Sequence, residues 1–357
     1  MRMKIAGHFG CWRMMIGLAL SSASCVNRPT MKVQARYWTG TTNAFVNFPE
    51  QEPTNHVWQD LQNRAAFGLC FSGGGTRSAS ATVGQLRALH KLGVLDKVRY
   101  TAAASGGSWA LVPYTYISDN SLINFLGPYV SPVSLTSKTN MEPGKDSLTK
   151  AISEAAVTLK GLGYLVTLRG AEEYAQTISD RFLKPFGLGD PKKWFTWNEP
   201  TGKEILQRNP QLEVAGLGGN YKATTGRPFP IIGATIRFYD ILPSATSKSQ
   251  VKRIPVEYTP LSSGVRQCWP PNHHTPAPIG GGYVESFAYD SIQPTNAGDG
   301  LVKTSFYNRR PWITSPVFNL GDMIDGSEKM AVGVKSHMNR DVGLAWLDLP
   351  LIAPPIK

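Results

Sequence analysis

The chain has few of the motifs that mark metal, redox and nucleotide-binding proteins. Its 357 residues include only four cysteines, which are widely spaced and form no C-x-x-C pair, so neither a zinc site nor a dithiol redox motif is indicated. No Gly-Lys-Ser/Thr sequence ends a glycine-rich segment, which excludes a nucleotide P-loop, and the glycine spacing of a dinucleotide fingerprint is missing. We therefore expect neither a cofactor nor a catalytic metal.

Acidic residues are outnumbered, with 25 Asp and Glu against 37 Lys and Arg, and the net charge is +12. Such a charge favours anionic partners, either nucleic acid or an anionic membrane surface. No basic run or nucleic-acid module is visible, so a phospholipid surface or lipid substrate fits better than nucleic acid. The alternative is that the charge only confers solubility. No obligate protein partner is evident from the sequence.

Long apolar runs are also lacking, and no stretch after the N-terminus approaches the length of a membrane-spanning helix. Residues 1–24 are basic, then apolar, then small, which resembles a short secretory signal, with a disordered tail as the alternative. Cys25 then stands where a lipoprotein carries its lipid. We expect a membrane-associated protein, secreted or lipoprotein-like if residues 1–24 act as a signal and otherwise cytoplasmic.

The remaining chain reads as one α/β domain with large insertions and without internal repeats. Residues 25–65 are polar and lack sustained periodicity, which predicts an extended lead-in. The catalytic unit is assigned to residues 66–326 and a divergent tail to residues 327–357. Strands are also predicted at Phe229–Ile236 and Arg253–Thr259.

Residues 66–109 predict two successive strand–turn–helix units. Ala66–Phe71 is a short apolar run typical of a buried parallel strand, in which Cys70 is expected to be a buried small side chain. A helical pattern follows, with Gly93 as its predicted end. Tyr100–Ala104 is the next strand, so a β-α-β-α order and a parallel sheet are expected.

Ser105 stands at the second strand-to-helix turn, where acyl-transfer enzymes of several classes expose a nucleophile. The segment Ala103-Ala104-Ser105-Gly106-Gly107 is close to the G-x-S-x-G pattern, with alanine replacing the first glycine. Small residues are needed there because strand and helix approach closely. The alternative is that Ser105 is the N-cap of its helix.

The first turn, Ser72-Gly73-Gly74-Gly75-Thr76-Arg77, leads from a strand into a helix. Three glycines let the backbone bend so that two N–H groups converge on one oxygen, which is the geometry of an oxyanion hole. Arg77 in the first helical turn is a candidate ligand for a phosphate or carboxylate, or else a partner in a surface ion pair. Together, the two turns suggest an oxyanion hole beside a nucleophilic serine.

These blocks resemble the catalytic domain of the cytosolic phospholipase A2 and lysophospholipase family, which is related to the patatin-like lipases. The resemblance rests on Gly68–Arg77, Gly84–Leu89, Gly93–Asp96, Tyr100 and Ser105–Trp109, with weaker likeness at Pro228–Ile232, Val256–Pro260 and Gly281–Ala288. It covers roughly residues 64–326. It implies a three-layer α/β fold in which helices flank a mainly parallel sheet, incomplete here at the C-terminus.

The resemblance also implies a mechanism. Ser105 is then the nucleophile, Gly73, Gly74 and Gly106 supply oxyanion N–H groups, and Arg77 binds the phosphate of the head group. The family's base is an aspartate in an Asp-Gly or Asp-Ser-Gly motif far downstream, so that neither a histidine nor a metal is required.

The aspartate of the expected site has no clear counterpart downstream, because the likeness fades after Gly326. Two Asp-Gly pairs offer candidates, Asp299 and Asp325, although turn residues are the simpler interpretation of both. One alternative function is therefore a catalytically incomplete lipid-binding protein or truncated product. Another is a carboxylesterase with a Ser-His-Asp triad that uses His273, His274 or His337.

Overall fold

The computed structural model describes residues 29–39, 48–134, 147–153, 178–240, 250–266, 280–307 and 316–328. Within these ranges, no helix is long and apolar enough to cross a bilayer. The strands are β1 (Pro29–Thr39), β2 (Ala65–Phe71), β3 (Val98–Ala104), β4 (Trp194–Thr196), β5 (Asn220–Lys222), β6 (Phe229–Asp240), β7 (Gln250–Tyr258), β8 (Ser262–Val265), β9 (Gly282–Glu285), β10 (Ile292–Gly298) and β11 (Leu301–Tyr307).

The helices of the described ranges lie mainly between the early strands. Those whose two ends both lie in the described ranges are α1 (His56–Leu61), α2 (Gly75–Lys91), α3 (Gly106–Tyr116), α4 (Asp119–Leu126), α5 (Glu199–Arg208), α6 (Gln211–Val214) and α7 (Leu320–Glu328), and residues 148–153 and 178–182 are helical as well. The predicted order β2-α2-β3-α3 is confirmed. The predicted end of α2 is also confirmed: Gly93 has a φ of +64°, and its N–H donates to the carbonyl of His90.

One nine-stranded sheet has the order β10-β11-β1-β9-β8-β7-β6-β3-β2, and β4 pairs with β5 separately. Parallel pairing is confined to β2 with β3 and β3 with β6, whereas the remaining pairs of this sheet are antiparallel. The sheet is therefore mixed rather than mainly parallel. The cause is connectivity: a parallel pair requires a crossover, which helices supply between β2 and β3, while a short turn joins β7 to β8.

Helices contact both faces of β6, as expected for an α/β fold. On one face, α3 packs against β3 and β6, and α2 and α7 pack against α3. On the other face, Phe229 of β6 packs in a separate apolar cluster with Val57 and Leu61 of α1. Because successive side chains of a strand alternate between faces, β6 contributes Ile232 to the main core and Phe229 to the smaller cluster.

The segment predicted to be a lead-in contributes a strand to the interior of the sheet. Strand β1 lies between β11 and β9, and it pairs antiparallel with both. Buried and exposed side chains alternate over only a few residues of β1, with Val33 and Ala35 buried and Lys32 exposed, so the hydrophobic periodicity of the sequence is weak there. Residues 29–39 thus belong to the sheet although they precede the predicted catalytic unit.

Strand β2 is an edge strand of the described sheet, which corrects the expectation that it is buried. Five of its seven residues are exposed, Phe67 retains 45% of its accessible surface, and Cys70 is an exposed free thiol. Its apolar composition resembles that of a buried parallel strand. In the described residues, however, only β3 pairs with it.

Candidate active site

The turn between β3 and α3 holds Ser105 in an unusual backbone conformation. Ser105 has a φ of +50° and a ψ of −128°, and it is one of three non-glycine residues with positive φ in the described part of the chain. Such a conformation is costly for a side chain with a Cβ atom, and strained residues of this kind cluster at functional sites. The residue is 2% exposed.

Ser105 precedes the first residue of α3, but its side chain makes no hydrogen bond that caps the helix. An N-cap serine has extended backbone angles and accepts a hydrogen bond from an N–H of the first helical turn. Ser105 meets neither condition. The structure therefore does not support the interpretation of Ser105 as a helix cap.

The glycine-rich turn lies between β2 and α2. Gly74 and Gly75 have φ values of +148° and +62°, conformations that residues with a Cβ atom rarely adopt. The hydroxyl of Ser78, in the first turn of α2, donates a hydrogen bond to the carbonyl of Ser72. The bend that the three glycines predict is present, and it opens a helix N-terminus.

The two turns are in direct backbone contact. The parallel register of β2 and β3 pairs Phe71 with Ala103, so both strands end at the same edge of the sheet. A Cβ atom added at Gly73 would lie 3.0 Å from the Cβ of Ser105 and 3.7 Å from its Oγ. A Cβ atom added at Gly106 would lie 2.1 Å from the carbonyl oxygen of Gly75. The contact requires glycine at Gly106, where a Cβ atom would overlap backbone, whereas a Cβ atom at Gly73 would make a tight contact with the Ser105 side chain.

Most of the predicted site residues are thus brought together. Gly73 touches Ser105, Gly74 follows it in the same bend, and Gly106 lies against that bend as the first residue of α3. The first N–H groups of an α-helix have no acceptor four residues earlier within the helix, so the starts of α2 and α3 are places where amide donors are available to a ligand. The arrangement is able to bind an anion beside the Ser105 side chain.

Arg77 lies one turn from the bend, at the third position of α2. Its side chain is exposed, and it forms no ion pair with any residue that the structure describes. The alternative role of a surface ion pair is therefore not seen in the described ranges. A free guanidinium beside a helix N-terminus is suited to a phosphate or carboxylate group.

The two candidate bases occupy different parts of the fold. Asp299 lies in the tight turn between β10 and β11, with a φ of +51°, six or more strands from β3. At about 4.8 Å per strand, that separation is about 30 Å across the sheet, so Asp299 is not brought to Ser105. Asp325 lies in α7, which packs against α3 and β6.

The histidines of the alternative triad, His273, His274 and His337, lie outside the described residues. The described residues contain no cluster of three or more His, Cys, Asp or Glu side chains arranged to hold a metal ion.

A second group of titratable side chains lies near the opposite end of β3. The pKa of Glu50 is raised from 4.5 to about 7, chiefly by burial and in a smaller part by the Glu257 carboxylate, against the opposing effect of hydrogen bonds to its own backbone and to Tyr100. Tyr100 lies five residues before Ser105, about 16 Å along the strand. The sequence did not indicate this group, because its members are far apart in the chain and share no motif.

No protein-family model matches this chain, and no curated protein is a significant match to it. Among solved structures, human GIVD cytosolic phospholipase A2 in complex with methyl gamma-linolenyl fluorophosphonate and terbium chloride is similar at 16% identity and a TM-score of 0.28, with 73% of this chain and 29% of that chain covered. A second structure of human GIVD cytosolic phospholipase A2 is similar at 17% identity and a TM-score of 0.27, with 66% of this chain and 27% of that chain covered. This chain thus spans less than a third of the length of those proteins.

Proposed function

We propose that this protein is a lipid acyl hydrolase of the cytosolic phospholipase A2 and lysophospholipase type, within the patatin-like lipases. It would cleave fatty-acyl esters of phospholipids or lysophospholipids through Ser105. The observation that carries the proposal is the conformation of Ser105: a positive φ at a strand-to-helix turn, a side chain that does not cap the helix, and the backbone of Gly73 against it. A nucleophile elbow has these properties.

In the proposed reaction, the Ser105 Oγ attacks the carbonyl carbon of the ester and its proton passes to a base. Negative charge develops on the carbonyl oxygen, where N–H groups of Gly73, Gly74 and Gly106 would bind it. Each such donor is worth about 3 kcal/mol in the transition state. The alcohol leaves with a proton, and water then hydrolyses the acyl–serine ester to release the fatty acid.

For the base, Asp325 is supported over Asp299 by the packing of α7 against α3. The motif expected from the resemblance also has a match by spacing in Asp341-Val342-Gly343, where valine replaces serine. Asp341 lies outside the described residues, and we propose it as the second candidate. In either case the carboxylate accepts the serine proton and afterwards activates water.

A phospholipid or lysophospholipid is the proposed substrate because a cation stands beside the proposed oxyanion site. Arg77 is exposed and without an ion pair among the described residues, so it is available to the phosphate of a head group. The net charge of +12 favours approach to an anionic lipid surface.

The test of the function compares the native protein with Ser105→Ala, using Ser80→Ala as the matched control because Ser80 is exposed on α2. We expect Ser105→Ala to lose lysophospholipid hydrolysis and labelling by an alkyl fluorophosphonate while its far-UV circular dichroism stays native. The control should keep both. Hydrolysis by Ser105→Ala at the native rate would contradict the proposal, and a native protein that binds lipid vesicles but never labels would favour the lipid-binding alternative.

The base is tested by asparagine substitution, which keeps the side-chain shape and removes the charge. We expect either Asp325→Asn or Asp341→Asn to reduce kcat by a factor of about 10² to 10⁴, which is the usual contribution of general-base catalysis. Asp299→Asn is the control and should retain native activity. Replacement of His273, His274 and His337 by alanine should leave activity intact, whereas a loss in any of them would favour the carboxylesterase triad.

A further inference from the structure

Two serine hydroxyls hold the peptide groups next to the proposed nucleophile. Ser78 lies in the first turn of α2, and its hydroxyl donates to the carbonyl of Ser72. Ser108 lies in the first turn of α3 and is fully buried, and its hydroxyl donates to the carbonyl of Ser105 at 2.5 Å. The backbone N–H of Ser108 donates to the same carbonyl at 2.9 Å.

Each of these carbonyls belongs to a peptide group whose N–H is a proposed oxyanion donor. The carbonyl of Ser72 shares a peptide plane with the N–H of Gly73, and the carbonyl of Ser105 shares one with the N–H of Gly106. In a planar trans peptide, the C=O and N–H bonds point in opposite directions. A hydrogen bond that holds the carbonyl therefore also fixes the direction of the N–H.

Without such a bond, the glycine peptides have more freedom than others. Glycine adopts positive and negative φ with similar ease, so a plane between serine and glycine rotates more readily than one between two residues with Cβ atoms. The bend around Gly73 and Gly74 is also exposed to solvent. A hydroxyl donor on the following helix turn is a local means of holding each plane.

We propose that Ser78 and Ser108 are positioning residues that aim the Gly73 and Gly106 N–H groups at one point beside Ser105. The inference rests on the proposed function, because an aimed donor pair affects the rate only if an oxyanion forms there. Preorganised donors of this kind account for a large part of catalysis in acyl transfer. The two serines play the same part in two adjacent turns.

The direct test monitors the orientation of the two peptide groups through the amide signals of Gly73 and Gly106 in nuclear magnetic resonance spectra. The chain contains three Ser-Gly pairs, Ser72-Gly73, Ser105-Gly106 and Ser263-Gly264. Cell-free protein labelled with carbonyl-13C serine and 15N glycine therefore gives three correlated amide signals, of which Gly264 is an internal reference. We expect Ser78→Ala to move the Gly73 signal and Ser108→Ala to move the Gly106 signal, while Gly264 stays in place.

The kinetic test uses the same variants with lysophospholipid as substrate. Each alanine variant should lower kcat about tenfold and leave KM within twofold. A misdirected donor stabilises the transition state less, whereas it hardly changes the binding of the substrate in the ground state. Ser78→Thr and Ser108→Thr, which keep the hydroxyl, should retain most of the native kcat. Thr115→Val is the matched control, because it removes a hydroxyl that donates to the Leu111 carbonyl at 2.9 Å in the same helix α3.

The outcomes separate the inference from the function on which it rests. If the native protein labels at Ser105 with a fluorophosphonate and both alanine variants label at the native rate, the positioning role is overturned and the function stands. If the native protein neither labels nor hydrolyses ester, both fail. If the Gly73 and Gly106 signals do not move in their respective variants, the positioning role is overturned whatever the activity.

Discussion

Substitution of Glu50 by glutamine is expected to remove a pH dependence from the stability of the fold. Glu50 lies in the 3-10 helix Pro49–Gln51 and is only 4% exposed. The pKa of its carboxyl is raised from 4.5 to about 7, because burial and the Glu257 carboxylate outweigh the hydrogen bonds from the backbone and Tyr100 and the charge of Arg266. The folded protein therefore binds this proton more tightly than the unfolded chain.

The sign of the effect follows from this difference. Below about pH 4.5, the carboxyl is protonated in both states and costs the fold nothing. As the pH rises through about 7, the folded state must hold a buried charge, and stability is lost across that interval. A pKa difference of about 2.5, at 1.36 kcal/mol for each pKa unit, corresponds to about 3 kcal/mol.

Urea unfolding at pH 5 and pH 8 measures this loss. At pH 5 the unfolded chain is already largely ionised, so we expect the native protein to lose about 2.5 kcal/mol more free energy of unfolding between these values than Glu50→Gln does, because the amide stays neutral throughout. Glu52→Gln, at a partly exposed position two residues further on, is the control and should follow the native protein. Parallel profiles for the native protein and Glu50→Gln would refute the argument from burial.

Three further predictions concern single residues of the site region. Gly106→Ala should destabilise the protein by about 3 kcal/mol in urea unfolding, because the added Cβ atom would lie 2.1 Å from the carbonyl oxygen of Gly75. Gly84→Ala, where the added Cβ atom meets open space on α2, should stabilise the protein by about 1 kcal/mol, and equal effects of the two substitutions would contradict the packing argument. Cys70 should react with an aromatic disulfide reagent in the native state, as located by peptide mass spectrometry, and protection until unfolding would contradict the exposed edge. Arg77→Ala should raise KM for lysophospholipid severalfold and leave KM for an uncharged short-chain ester unchanged, and equal increases would argue against a phosphate contact.

The local parts of the site were predictable because each one depends on neighbouring residues. A short apolar run, a glycine-rich turn and a helical period predict β2, the bend and α2, and Gly93 marks the helix end through its left-handed conformation. The turn at Ser105 was predictable in the same way, since small residues flank it. The side-chain bonds of Ser78 and Ser108 were not, although serine in the first turn of a helix is a usable signal for such bonds.

Long-range pairing was decided only by the tertiary structure. Strand β1 lies between β11 and β9, and its partner residues in those strands are more than 240 positions further along the chain. The hydrophobic pattern of a short segment does not indicate such distant partners. The same pairings put Asp299 at the far edge from Ser105 and leave β2 at the near edge. A short sequence pattern predicts the conformation of its own backbone, because backbone conformation depends on steric contacts within a few residues. Which strands become neighbours depends instead on burying apolar faces contributed by the whole chain.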